Sequence, residues 1–252
     1  MARSKFLLSI MIATLLSMSL LSSCKIIGRY ERYENAELYT AGDFTYSAAD
    51  VKEVEIDWIN GSIEIVQTDS AELSVTETSI KDIHKTFHHY LDGATLKIKF
   101  CEAGAKTKVD NQFKRLRVEI PASVHLEIDS VSAPITIGEV TLSSLSVETV
   151  SGKLTAENIH APKVDIESTR ADISLGLSAQ TIAKIETTSG DITLSLLKNM
   201  GATIVYETLS GKFTTEREYG KAGKKRYDIL GDANISVCEI EIDTVSGDVF
   251  VK

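Results

Sequence analysis

Apolar and polar residues alternate along most of this chain beyond residue 53, and the alternation shifts at regular places. In the segment 145–156, LSVETVSGKLTA, Leu145 and Val147 are apolar before a Ser-Gly pair, and Leu154 is apolar after it in the opposite parity. A period of two is typical of a half-buried strand. The shift predicts a bend at which the chain keeps its apolar side inward, and we expect the glycine to supply backbone angles that a side chain would forbid.

The pattern recurs six times, with an outlying copy nearer the N-terminus. Equivalent corner residues are separated by 19, 19, 19, 21 and 36 residues. Equal intervals predict stacked coils in which like positions form columns, such as Ile128, Val147, Ile166 and Ile185. The copies occupy residues 54–65, 126–137, 145–156, 164–175, 183–194, 204–215 and 240–251.

The repeats predict an all-β fold, a parallel β-solenoid of about 19-residue coils spaced about 4.8 Å apart. The rival is an antiparallel sandwich, which would not require equal loop lengths or aligned corners. Two segments fit the pattern less well. Residues 79–92, SIKDIHKTFHHYLD, predict a helical turn or a long loop, and residues 216–226, EREYGKAGKKR, predict a basic loop between late copies.

The N-terminus carries an export pattern. Arg3 and Lys5 precede an uncharged stretch from 6 to 23, the order of a secretory signal. Leu21-Ser22-Ser23-Cys24 resembles the bacterial lipobox, in which the cysteine is acylated and becomes the new N-terminus. We therefore expect a lipoprotein signal peptide at 1–23 and fatty acid, including palmitate, on Cys24. A retained membrane helix and a cleaved, unlipidated protein are the alternatives.

This division gives three segments: the signal peptide 1–23, a lipidated N-terminus and tether at 24–50, and the solenoid domain at 51–252. No acidic residue directly follows Cys24. By resemblance to the usual enterobacterial sorting rule, we expect anchoring at the outer membrane, with the domain outside the cytoplasm.

The net charge of the chain limits the kinds of partner that it can bind. Without residues 1–23 the net charge is 25 − 36 = −11. Such an acidic domain is unsuited to neutralising a nucleic-acid backbone, and it is repelled by anionic lipid headgroups beyond its anchor.

Cys101 and Cys238 are either buried free thiols or a disulfide formed in an oxidising envelope. The sequence has no CxxC, HExxH, GxSxG, P-loop or GxGxxG motif.

The strand LRVEIP at 116–121, the serial T-[VTL]-S-G corners and the terminal copy at 243–252 resemble a bacterial β-strand-repeat family of putative adhesins of unknown function. The resemblance covers about residues 51–252. Ala133-Pro134 and Arg170-Ala171 depart from the corner motif. The resemblance implies a right-handed β-solenoid outside the cytoplasm, often tied to the envelope, and it carries no established catalytic residues.

His84, His88 and His89 lie close together in the sequence. If residues 80–90 were helical, His84 and His88 would share one face, a spacing that can hold a metal, and Asp82 or Asp92 could add an oxygen ligand. We interpret them as incidental histidines of a polar loop and predict no metal site.

Carboxylates also recur opposite the apolar columns, where they predict an acidic stripe facing water. Such a stripe could bind Ca²⁺ or a basic partner, or cleave sugars through paired acids, and the plainer interpretation is a solvated face. The carboxylates are Glu127, Asp129, Glu148, Asp165, Glu167, Glu186, Glu207, Glu241 and Asp243.

Two further features have competing interpretations. Lys221, Lys224, Lys225 and Arg226 could dock an anionic glycan or a lipid headgroup, or form a plain mobile loop. Trp58 is interpreted as a cap over the first coil rather than a ligand platform.

We therefore predict a non-enzymatic cell-envelope lipoprotein, an adhesin-like binding or structural module without catalytic residues, cofactor or metal. Its expected partners are the membrane, through lipid on Cys24, and an envelope glycan or protein. The alternative is a glycan-active enzyme, a polysaccharide lyase or hydrolase on a β-solenoid.

Overall fold

A computed structural model describes residues 30–78, 83–106, 114–221, 223, 225–232 and 237–252. The signal peptide and Cys24, with Asp82 and Lys224, lie outside the described residues.

The described residues form twenty-two strands and two short 3-10 turns, Ala36–Leu38 and Ala48–Asp50. The strands, in chain order, are β1 Thr40–Ala41, β2 Phe44–Ser47, β3 Glu53–Trp58, β4 Ser62–Gln67, β5 Glu72–Thr78, β6 His88–Asp92, β7 Thr95–Lys99, β8 Arg115–Ile120, β9 Val124–Ser130, β10 Ile135–Ile137, β11 Val140–Thr149, β12 Leu154–His160, β13 Lys163–Ser168, β14 Ile173–Leu177, β15 Ile182–Thr187, β16 Ile192–Leu196, β17 Gly201–Thr208, β18 Phe213–Thr215, β19 Tyr219–Lys221, β20 Arg226–Ile229, β21 Val237–Thr244 and β22 Val249–Val251.

Each coil contributes one strand to each of two parallel sheets. We call sheet A the one containing β3, β9, β11, β13, β15, β17 and β21, and sheet B the one containing β4, β10, β12, β14, β16, β18 and β22. Strand β11 runs from one sheet into the other, since Val140 pairs in sheet B and Leu145 pairs in sheet A. The parallel β-solenoid is confirmed, and the antiparallel sandwich is excluded as the main architecture.

The predicted columns form the core between the two sheets. Ile128, Val147, Ile166 and Ile185 are register partners in succession across sheet A. Each is at most 1% exposed. Apolar side chains of successive coils therefore bury one another, and this burial is the main favourable contribution to the free energy of folding.

The order of coils departs from the chain order at both ends of the stack. The last coil, β21 with β22, lies between β15/β16 and β17/β18. The first coil, β3 with β4, likewise lies between β7/β8 and β9/β10. Equal coil lengths predict the columns, but they do not fix which of the last two coils follows β15/β16 in the stack.

Antiparallel strands pair with the stack at each end. Residues 40–47, interpreted from the sequence as part of a tether, form β1 and β2, which pair with β6 and β5. Residues 88–92, expected in a helical turn or loop, form β6 instead. The segment expected to be a basic loop contains β19 and ends at the first residue of β20. These two strands pair antiparallel with each other, and β20 also pairs antiparallel with β17.

The corner signature has a physical cause that differs from the one expected. Gly190 is not at positive φ, but a Cβ on it would lie 1.7 Å from the carbonyl oxygen of Ala171 in the neighbouring coil. Its backbone N–H donates to Oγ1 of Thr187, and Oγ of Ser189 donates to the carbonyl of Thr169. The motif therefore needs glycine because neighbouring coils approach closely at the corner. The threonine hydroxyl accepts a hydrogen bond within its own turn, and the serine hydroxyl donates one to the neighbouring coil.

Candidate functional site

A row of seven carboxylates crosses the outer face of sheet A, and we call it the acidic row. Its members are register partners on successive strands of the stack, so their backbones are about 4.8 Å apart. In spatial order they are Asp57, Asp129, Glu148, Glu167, Glu186, Asp243 and Glu207.

Strand parity places these side chains outside the core. In β9, for example, Leu126 and Ile128 are buried while Glu127 and Asp129 are partly exposed. Six of the nine carboxylates expected in the acidic stripe belong to the row, and Asp57 joins them from the outlying copy. The other three, Glu127, Asp165 and Glu241, lie two residues earlier on their strands, in register with Ser146 and Lys184. One expectation fails, because Glu186 is only 8% exposed and its Oε1 lies 2.9 Å from Nζ of Lys184.

Crowding of like charges changes the acidity of the row. Partial burial, together with the negative charges of Asp129 and Glu167, raises the pKa of Glu148 to about 7. Partial burial and Glu127 raise the pKa of Asp129 to about 6. Near neutral pH the row therefore holds protons that isolated carboxylates would release.

The same effect extends to the inserted coil. Partial burial and the charge of Glu241 raise the pKa of Asp243 to about 6. Burial and Glu186 also raise the pKa of Glu167. The C-terminal coil therefore continues the electrostatic character of the row as well as its geometry.

Lysines close both ends of the acidic row. Lys99 on β7 pairs with Asp57, and Nζ of Lys225 lies 3.0 Å from Oε2 of Glu207. Lys225 and Arg226 come from the segment expected to dock an anionic ligand, and Nε of Arg226 lies 3.2 Å from Oδ1 of Asp228. Lys225 and Arg226 thus pair with acids of their own chain.

An open depression of about 630 Å³ lies beside the row, on the same face. Its lining combines apolar side chains, among them Ile182 and Val205, with acidic and basic ones. Its charged lining residues are Lys163, Asp165, Lys184, Arg226, Glu239 and Glu241.

The three histidines noted in the sequence do not converge. His84 is exposed, with Nδ1 2.5 Å from Oε2 of Glu102. His89 is buried and stacks on Phe44 with ring centroids 3.6 Å apart, and burial lowers its pKa to about 4. His88 is also buried, and its Nδ1 lies 3.2 Å from the carbonyl oxygen of Thr86. Two of these histidines belong to the packing of β6 rather than to a polar loop.

Sequence reasoning missed a different group, Glu53, His125 and Glu127, whose side-chain ligand atoms lie within 4.8 Å of one another. The repeat pattern of the sequence does contain a signal for this group. Aligning the outlying copy with the first regular copy sets Glu53 against His125, which is their register in the structure.

Sequence reasoning also missed a buried ion pair at the N-terminal end of the stack. Nζ of Lys114 lies 2.9 Å from Oε1 of Glu77, and both side chains are at most 1% exposed. Lys114 Nζ also lies 4.7 Å from the centroid of the Trp58 ring. Trp58 is 2% exposed and packs edge-on against Phe100, so it is core and not a ligand platform.

Cys101 and Cys238 are both free and buried, which agrees with the interpretation as unpaired thiols. Burial raises the pKa of the Cys101 thiol to about 12, so it is a poor nucleophile at neutral pH. Among the described residues, no helix is long and apolar enough to cross a membrane.

Comparison with solved structures gives distant matches. A "putative cell adhesion protein" from Clostridium sporogenes is 11% identical, over 84% of this chain and 99% of that one, with a TM-score of 0.45. A "putative adhesin" from Bacteroides fragilis is 12% identical, over 84% and 97%, with a TM-score of 0.35. One from Parabacteroides distasonis is 13% identical, over 85% and 97%, with a TM-score of 0.32. No curated protein matches the chain.

A family model matches the C-terminal part of the chain. Residues 175–252 match the family described as Toastrack DUF4097. The matched segment includes the coils β15/β16, β17/β18 and β21/β22, and so contains the inserted C-terminal coil. The predicted resemblance to a β-strand-repeat family of unknown function is thereby confirmed, with residues 175–252 carrying the match to the Toastrack DUF4097 model.

Proposed function

We propose that this chain is a non-catalytic module of the bacterial cell envelope that binds a basic partner along the acidic row. The observation that carries the proposal is the register of seven carboxylates on one outer face. Six strand spacings give the row a length of about 29 Å, the reach of an extended segment of roughly nine residues.

The electrostatics of the row support a cationic partner. Burial, and after it the negative charges of neighbouring carboxylates, raises the pKa values of Glu148, Asp129 and Asp243, so part of the shift reflects repulsion between carboxylates. A lysine-rich or arginine-rich segment would relieve that repulsion and would favour release of the bound protons. Charge complementarity of this kind speeds association and sets specificity, and it weakens as salt is added.

Membrane attachment rests on the sequence around Cys24. An acidic domain is repelled by anionic headgroups, so acyl chains on Cys24 would hold the chain at the membrane. Cells expressing the full chain should incorporate labelled palmitate and carry the protein in the membrane fraction. Cys24→Ala should abolish both, while Cys101→Ala should change neither.

The binding experiment compares the full chain, purified in detergent, with two double variants. Poly-L-lysine is the probe, and Glu148→Gln with Glu167→Gln should weaken its binding at least about fivefold in low salt. Glu139→Gln with Glu157→Gln removes two exposed carboxylates away from the row and is the matched control. Equal weakening by both pairs would show that net charge, and not the row, governs binding.

A second candidate is glycan hydrolysis, and Glu148 is the observation that favours it. Partial burial and neighbouring negative charges raise its pKa to about 7, which suits a general acid, and its register partners Asp129 and Glu167 place a second carboxylate on each adjacent strand. Retaining glycosidases use two such carboxyl groups about 5 Å apart. Incubation with envelope polysaccharides decides between the two functions. Product that disappears in Glu148→Gln but persists in Glu157→Gln would establish the enzyme and overturn the non-catalytic module.

A further inference from the structure

A histidine and two glutamates converge near the N-terminal ends of β3 and β9 in sheet A. Glu53 is the register partner of His125, and Glu127 follows two residues later on the same face. Nε2 of His125 lies 3.6 Å from Oε1 of Glu53 and 3.7 Å from Oε2 of Glu127.

The far atoms of two of these side chains are held by neighbouring strands. Oγ1 of Thr95 on β7 donates to Oε2 of Glu53 at 2.8 Å. Nδ1 of His125 lies 2.5 Å from Oγ of Ser144 on β11. A metal-binding histidine characteristically has its second ring nitrogen fixed in this way, which sets the tautomer and aims the other nitrogen at the ion.

The separations are too long for direct hydrogen bonds and leave room for an ion between the three side chains. Hydrogen bonds between nitrogen and oxygen span about 2.7–3.2 Å, and both contacts of Nε2 exceed that range. Four ligands placed tetrahedrally at about 2.1 Å from Zn²⁺ are about 3.4 Å from one another. The observed 3.6 and 3.7 Å lie within a few tenths of an ångström of that geometry.

We propose that Glu53, His125 and Glu127 form a three-ligand site for Zn²⁺ or a similar first-row divalent cation, with water as the fourth ligand. One imidazole with two carboxylates suits this class of ion, whereas Ca²⁺ takes six to eight oxygen ligands. The site does not depend on the proposed partner of the acidic row, since Glu53, His125 and Glu127 are not members of that row.

Calorimetric titration of Zn²⁺ into the full chain, purified in detergent and stripped with a chelator, tests the proposal. We expect one equivalent to bind at pH 7. His125→Ala and Glu127→Gln should each weaken binding at least about tenfold, and Ser144→Ala should weaken it less. His160→Ala removes an exposed histidine that lies on sheet B, outside the cluster, and should leave binding unchanged.

Cobalt provides a second readout that is independent of heat. Co²⁺ bound by one imidazole and two carboxylates in a four-coordinate site should give visible absorption that His125→Ala abolishes. Circular dichroism of each variant separates loss of a ligand from loss of the fold, and Glu127→Gln preserves shape if His125→Ala does not fold. Absence of Zn²⁺ binding, or binding that survives both substitutions, would overturn the site.

Discussion

Asp243 is the register partner of Glu186, although Glu207 is the next member of the acidic row along the chain. The last coil therefore separates two coils that are consecutive in sequence. It buries Ile242 between Ile185 and Tyr206 and supplies one carboxylate to the row. Removing this coil would expose apolar edges on both neighbours and interrupt the charged face.

Paired cysteines test this insertion. Register partners on adjacent parallel strands have Cα atoms about 4.8 Å apart, within the range of about 4.4–6.8 Å that a disulfide spans. Glu186→Cys with Asp243→Cys should therefore cross-link on mild oxidation, as measured by peptide mass spectrometry. Glu186→Cys with Glu207→Cys, separated by about 9.6 Å, should not. The reverse result would place the coils in chain order.

Gly190 should not tolerate a side chain. Its added Cβ would lie 1.7 Å from the carbonyl oxygen of Ala171, so coils must separate to accept it. We expect Gly190→Ala to lower the free energy of unfolding by about 2 kcal/mol or more in urea denaturation. Gly220→Ala is the control, because an added Cβ there meets nothing within 4 Å, and it should change stability by less than about 0.5 kcal/mol.

The buried ion pair at the N-terminal end should couple strongly. Lys114→Met leaves the Glu77 carboxylate buried without its cation, and we expect a loss of about 3–5 kcal/mol in the free energy of unfolding. Glu77→Gln combined with Lys114→Met should cost less than Lys114→Met alone, because the stranded charge is gone. A double-mutant cycle in urea measures the coupling, and additive effects would show that the two groups do not interact.

Stability should decrease as pH rises through the titration of the acidic row. Asp129 and Glu148 have ordinary pKa values of 3.8 and 4.5, and folding raises them to about 6 and about 7. The folded protein therefore holds protons that the unfolded chain has released, so this contribution is full below about pH 4 and is lost by about pH 7.

Urea titrations between about pH 5 and pH 8 should accordingly show a falling midpoint of unfolding. Glu148→Gln, which stays neutral, should flatten the slope, and Glu157→Gln on sheet B should retain it. A slope unchanged by Glu148→Gln would assign the pH dependence to other groups.

The sequence predicted the columns and the corners because both depend on local parity and equal coil length. It could not order the last coils, since Ile242 and Tyr206 occupy the same column and either could follow Ile185. It identified corner glycines such as Gly190 but assigned them the wrong constraint, because close approach of another coil leaves no mark in the local pattern.

The candidate sites also differ in whether they follow from the local sequence or depend on contacts between distant segments. Six of the seven members of the acidic row were predicted from carboxylates at equivalent positions of the regular copies, and Glu186 among them is more buried than expected. Glu53 and His125 are distant in the chain, and the strands β5 to β8 that intervene concealed their adjacency. Contacts between copies that are consecutive in sequence thus follow from their equal spacing, while contacts across the insertion require the outlying copy to be aligned with the regular ones.

Carbon-detected NMR titration of the Glu148 carboxyl tests the acidic row most directly, since that group lies between Asp129 and Glu167 on adjacent strands. The structure predicts a midpoint near pH 7 that moves downward in the Asp129→Asn, Glu167→Gln variant. A midpoint near the ordinary 4.5 in the unaltered protein would contradict the partial burial and crowding of carboxylates on which the proposed binding face depends.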